Sequence, residues 1–133
     1  MQATVKWQHD LVFEGTTENG NTVLMDGNKQ EAATPMEMVM MAAASCSSVD
    51  VVSILEKAKQ EVSGVEVKLD GERVDAVPAV FSKIHLHFVV RGKNVSEKHV
   101  ERAVNLSADK YCSVSIMLGK SVEITHSFEV VEE

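Results

Sequence analysis

Apolar and polar positions alternate through the first eight residues, with Ala3, Val5 and Trp7 on one side and Thr4, Lys6 and Gln8 on the other. A period of two predicts a half-buried β-strand. Residues 11–14 and 21–25 read as a second and a third strand. They are joined at Glu18-Asn19-Gly20-Asn21, where Asn-Gly supplies a hairpin turn signal. Asp26-Gly27-Asn28 closes the third strand with another turn. The pattern then changes. Thr34 reads as a helix N-cap, Pro35 takes the first helical position, where no amide hydrogen is wasted, and Glu37 stands where it completes a capping box with Thr34. Apolar residues continue to about Leu55. Lys57, Lys59 and Gln60 end the helix and Gly64 follows as a stop. Such a helix is about 25 residues, or roughly 38 Å, long. Its first five turns are apolar nearly all round, which predicts a central, buried helix.

Beyond it, Val65, Val67 and Leu69 alternate with Glu66, Lys68 and Asp70, a strand with one wet face. Residues 80–91 form a longer strand. Ile84, Leu86, Phe88 and Val90 make its core face, and Lys83, His85, His87, Val89 and Arg91 the other. Asp75-Ala76-Val77-Pro78 breaks the pairing between the two. Ser96 is the N-cap of a second helix, with Val95 and Val100 placed as a hydrophobic staple. That helix runs to about Tyr111 along a stripe of Val100, Ala103, Val104, Ser107 and Tyr111. A last strand over residues 121–131 turns Val122, Ile124, His126, Phe128 and Val130 to one face. The chain is therefore expected to be one α+β domain over residues 1–133, a mostly antiparallel sheet covering two helices. A helix that is apolar all round is hard to cover in 133 residues, so burial against a second copy, a homodimer, is expected.

Composition narrows the function. Apolar residues make up 44% and charged residues 25%, an ordinary globular balance. A net charge of −7 leaves no basic footprint for a phosphate backbone or an anionic bilayer, so neither nucleic acid nor membrane binding is expected. The most apolar window, residues 36–55, holds Glu37, Asp50 and four Ser, which favours a core helix over a membrane span. The N-terminus lacks the apolar run of a secretory signal, so a cytoplasmic location with both thiols reduced is expected.

The two cysteines are the candidates for chemistry. Cys46 lies mid-helix among small residues, Ala42 to Ser45 on one side and Ser47 and Ser48 on the other, and Cys112 follows the second helix. Small neighbours let a substrate or a second backbone approach the sulfur, and they equally serve helix packing. A free Cys often acts only as a small buried hydrophobe. His85 and His87, two apart on one strand face, could hold a metal with Cys46 or His126. No acidic or Cys spacing supports this, so no metal is expected and the pair reads as a wet or interfacial face. His126 reads as a hydrogen-bonded core residue. The stripe of Met36, Met38, Met40 and Met41 could line a pliable apolar site.

Two segments resemble one family. The run from Pro35 through Met36-Glu37-Met38-Val39-Met40-Met41-Ala42-Ala43-Ala44-Ser45 to Cys46, continuing into Asp50-Val51-Val52-Ser53-Ile54-Leu55, is similar to the central helix of OsmC/Ohr proteins. Ser107-Ala108-Asp109-Lys110-Tyr111-Cys112-Ser113-Val114-Ser115 is similar to that family's second cysteine segment, and the nearest likeness is to the YhfA-like branch. The resemblance implies an intertwined homodimer with two thiol sites at the interface. It also implies a hydroperoxide reductase without metal or other cofactor. Cys46 would be the peroxidatic residue and Cys112 the resolving one, reset by an external dithiol. Two departures stand out. The family's peroxidases carry an Arg from the N-terminal strands, whereas the Arg residues here are Arg73, Arg91 and Arg102, leaving Lys6, His9 and Lys29 as the N-terminal cations. Their partner Glu lies about ten residues before the first Cys, a position held here by Met36. Glu37, nine residues before Cys46, points to the opposite face of a straight helix and is better explained as a cap. Without a cation, and with Asp50 one turn on, Cys46 is expected to be mostly thiol and turnover slow. The alternatives are a binding protein for a small apolar or acyl ligand, and a redox-sensing dimer.

Overall fold

Three short strands come first: β1 (Ala3–His9), β2 (Val12–Thr17) and β3 (Thr22–Asp26), antiparallel neighbours in that order. The structure is a computed structural model and describes all residues from 1 to 133. The turn between β2 and β3 forms where Asn-Gly predicts it, with Gly20 at φ 89°, a conformation that costs a residue without Cβ little. Register places Val5 opposite Gly15 and Val23 beyond it, and Trp7 opposite Phe13 with Met25 beyond. These residues share one apolar face. The alternation is as read from the sequence, but its burial is not: every residue of β1 is exposed, Trp7 at 65% and Val5 at 59%. After β3 the buried Asp26 ties down the following loop, its carboxylate accepting from the amides of Asn28, Gln30 and Glu31 at 2.8–3.0 Å. Those bonds, the Glu31 amide foremost and the Asn28 amide next, hold its pKa below the usual carboxylate value.

The capping box predicted for the long helix is present. The Thr34 amide donates to Glu37 Oε1 at 2.9 Å and the Glu37 amide donates to Thr34 Oγ1 at 3.1 Å. Glu37 is held below the usual carboxylate value, first by the Thr34 amide and to a smaller extent by Lys29 at 3.7 Å. The helix, α1, spans Pro35–Lys57. Its buried residues are Ala43, Ala44, Ser47, Val51 and Leu55, a stripe along one side. Met41, Val49 and Val52 stand exposed, Val49 at 66%. The expectation of a helix buried all round therefore fails within the single chain, which covers one side only. By length and composition α1 is also long and apolar enough to cross a membrane. Its buried stripe packs within the chain, and its Asp50 is hydrogen-bonded to Ser107.

The chain divides into two compact units, Met1–Val39 and Met40–Glu133. The second is built on β4 (Glu61–Arg73), β5 (Phe81–Lys93) and β6 (Glu123–Glu132), with β5 in the middle. Gly64 is not a stop: β4 begins before it, and the glycine lies at a shift in register between β4 and β5. Gly71 is where β4 receives its neighbours most closely, since a Cβ there would lie 2.7 Å from Met40 Sδ and 3.0 Å from the Phe81 ring. Ile84, Leu86, Phe88 and Val90 are buried as predicted, and Val89 with them.

β5 and β6 run parallel, pairing His85 with Thr125 and His87 with Ser127. The sequence reading of one mostly antiparallel sheet thus resolves into two three-stranded sheets, with a single parallel pairing among antiparallel ones. A parallel neighbour requires the chain to cross over between strands. The crossover consists of α2 (Glu97–Leu106), a wide π-turn (Ser107–Tyr111) and a third helix, α3 (Ser113–Leu118). Ser96 caps α2 as predicted, and Val100, Ala103 and Val104 are its buried face. The second helix of the sequence reading, taken to Tyr111, is α2 and the π-turn together, and α3 was not foreseen.

Candidate active site: a dithiol beside the π-turn

Cys46 projects from α1, and the chain that meets it is the end of the crossover. Residues 107–111 form a turn wider than an α-helix, closed by the Cys112 amide donating to the Ser107 carbonyl at 2.8 Å. Such wide turns recur at functional sites. One buried hydroxyl fastens this one to α1. Ser107 Oγ donates to Asp50 Oδ2 at 2.9 Å and accepts from Ser47 Oγ at 2.9 Å. Ser107 is 0% exposed and Ser47 3%, so the bonds satisfy groups that water does not reach. Both α1 partners follow Cys46, one residue and one turn on.

Cys112 ends the turn, is fully buried, and caps α3 with its sulfur. Its Sγ accepts from the Ser115 amide at 3.4 Å and lies 3.2 Å from Ser115 Oγ and 3.7 Å from the Ala43 carbonyl of α1. The half-buried Cys46 lies close enough to the Cys112 thiol and to the Val114 and Ser113 amides in the first turn of α3 for all three to bear on its pKa. The Val114 amide is the largest influence on Cys46 and favours the thiolate, and the Ser113 amide adds to it. Removal from water and the neighbouring Cys112 thiol oppose them and leave the pKa above that of an ordinary thiol. The predicted direction is present but its cause is different. Asp50 is not among the leading influences, because its carboxylate is turned to Ser107. No cation is among them either. Of the N-terminal cations, Lys29 faces Glu37 at 3.7 Å and His9 faces Glu31 at 2.6 Å, which raises the His9 pKa.

No histidine is among the leading influences on Cys46. His85 bonds Thr125 Oγ1 at 2.6 Å and Ser127 Oγ at 2.8 Å, and His87 bonds the same Ser127 at 2.7 Å and Glu129 Oε2 at 2.7 Å. This ladder across the parallel strands is the wet face read from the sequence, and His87 holds Glu129 below the usual carboxylate value. His126 bonds Asn105 at 2.9 Å but is only half-buried, so it is not a core residue. Ser47 and Ser107 are the site residues that sequence reasoning missed. Ser107 falls on the inward stripe read for the second helix, and a buried hydroxyl on such a stripe signals a polar partner.

An α+β chain with a crossover that returns a second cysteine to a long helix is of OsmC type. Residues 27–127 match the family described as OsmC-like protein, and the chain belongs to that family. Among its relatives, Protein YhfA of Escherichia coli K12 is 54% identical over 132 residues, 98% of each chain. A hypothetical protein from Aquifex aeolicus VF5 is 32% identical and superposes with a TM-score of 0.90 over 99% of this chain and 96% of that one. The organic hydroperoxide resistance protein OhrB of Bacillus subtilis, at 15% identity, superposes with a TM-score of 0.64 over 97% of this chain and 98% of its own, a likeness of fold.

Proposed function

We propose that the chain is a thiol-dependent hydroperoxide reductase of the OsmC type, slow for its family. The observation that carries the reading is the meeting of Cys46 and Cys112 at the first turn of α3. The Cys46 thiolate attacks the outer oxygen of ROOH. The O–O bond breaks, the alkoxide leaves and takes a proton as ROH, and the sulfur becomes a sulfenic acid. Cys112 then displaces the hydroxyl as water and the two sulfurs form a disulfide. An external dithiol reduces that disulfide by exchange, which suits a reducing compartment such as the cytoplasm. Slowness follows from the raised Cys46 pKa, since the thiolate is the attacking species. The working form is a homodimer, supported by the exposed apolar residues of α1 and by the open face of Val5, Trp7 and Val23.

The test is consumption of an alkyl hydroperoxide with a supplied dithiol. Turnover should vanish in Cys46→Ser, and peptide mapping of the oxidised protein should recover a 46–112 linked pair. In Cys112→Ser the pH midpoint of Cys46 alkylation should fall below that of the parent, because Cys112 is one of the groups that raise it. No consumption with any dithiol, or consumption unchanged in Cys46→Ser, overturns the reading.

A further inference from the structure

The second cysteine has no water to work with. Cys112 is 0% exposed, and charge that develops in such a place needs hydrogen bonds from the protein itself. Besides Cys46, its sulfur has three polar neighbours. The Ala43 carbonyl, at 3.7 Å, can only accept, so it suits the thiol and opposes the thiolate. The Ser115 amide, at 3.4 Å, can only donate. Ser115 Oγ, at 3.2 Å, can do either. In the resting dithiol the Cys112 S–H donates to that oxygen. When the proton has gone, the hydroxyl turns round its C–O bond and donates to the sulfur. It is the one side chain among the three contacts, and the only contact that suits both states.

Ser115 is placed for this role. It stands three residues beyond Cys112, in the first turn of α3, where the cap brings the two together. The cap itself uses the Ser115 amide, which any residue but proline would supply, so it does not account for the hydroxyl. Ser115 is 6% exposed, and its hydroxyl bonds no residue other than Cys112. The other two buried serines beside the thiols are committed elsewhere. Ser47 and Ser107 bond each other, and Ser107 also bonds Asp50.

We propose that Ser115 is a third catalytic residue, which steadies Cys112 both as nucleophile and as leaving group. This role rests on the pairing of Cys46 with Cys112 read above, and not on peroxide as the oxidant. In the forward step the Cys112 S–H bond breaks and its sulfur bonds to Cys46. The Cys46 S–O bond breaks, and the hydroxyl departs with the Cys112 proton as water. In the return step an external thiolate attacks Cys46, the half-buried sulfur, and Cys112 leaves with the S–S electron pair into the Ser115 hydrogen bonds.

The test replaces peroxide with dithiobis(nitrobenzoate), supplied at one equivalent per chain. Cys46 should release a first nitrothiobenzoate in a phase that scales with the reagent. Cys112 should then displace the second from Cys46 in a phase independent of concentration. Ser115→Ala should slow that second phase by about tenfold or more, the worth of one hydrogen bond to an anion, and leave the first as in the parent. Ser115→Thr, which keeps the hydroxyl, should recover most of the rate. Alanine keeps the cap amide and suits a helix, and circular dichroism checks the fold of both variants. A parent that shows both phases but consumes no hydroperoxide sinks the proposed function alone and leaves the role of Ser115 standing. A second phase as fast in Ser115→Ala as in the parent, equal slowing of both phases, or no recovery in Ser115→Thr overturns that role.

Discussion

The two sheets of this protein have similar alternating sequences and opposite fates. In β4–β6 the inward residues Ile84, Leu86, Phe88 and Val90 are at most 2% exposed. In β1–β3 an equally regular alternation leaves Val5, Trp7 and Val23 open. Alternation reports which side of a strand is apolar; it does not report whether the chain itself supplies the cover. In the proposed homodimer this uncovered apolar face would be the surface met by the second copy.

Substitutions at four positions sharpen that contrast. The largest effect belongs to the covered region: Leu55→Ala on the buried stripe of α1 should cost about 2–5 kcal/mol, read by chemical denaturation. Trp7→Gln, by contrast, should leave the stability of the separated chain within about 0.5 kcal/mol, as exposed positions do, while shifting the sedimentation of the proposed dimer toward monomer. A loss at Trp7 as large as that at Leu55, measured at a concentration where the parent is monomeric, would break the comparison. Next comes Ser107→Ala, which leaves Ser47 short of a partner in a buried place and should cost about 1–3 kcal/mol. Ser107→Thr, which keeps the hydroxyl, should restore part of it. The smallest effect concerns the cap. Glu37 has a depressed pKa, so its contribution is full above the ordinary carboxylate pKa and is lost as pH falls through the lower, folded value. A melting curve taken stepwise from pH 7 into the acid range should converge with that of Glu37→Gln, and parallel curves would show that Glu37 contributes nothing by its charge.

What could be read from the sequence was what is local. The Thr34–Glu37 box, the Ser96 cap and the Asn-Gly turn are each set within four residues, and each forms. The parallel pairing of β6 is set by a connection of some thirty residues. The strand–helix–strand order was a usable sign of it, since a helix between paired strands commonly marks a crossover. α3 was lost because Cys112 is an unusual N-cap: its sulfur does there what a Ser or Asp oxygen ordinarily does. For the site, the two thiols were legible by type and by resemblance. The electrostatics were not, because whether Asp50 faces Cys46 or Ser107 depends on where another segment of chain arrives.

The wide turn at Ser107–Tyr111 also sets how the segment tolerates changes in length. Asp109 and Lys110 are exposed on it, so their side chains can vary freely. Their number cannot. Deleting one residue would convert the turn into an uninterrupted α-helix with every backbone bond intact, and would rotate whatever follows by about 100°. Cys112 would then leave Cys46 without any buried contact having been mutated. In this segment a single-codon deletion should be far more damaging than any single substitution at 109 or 110.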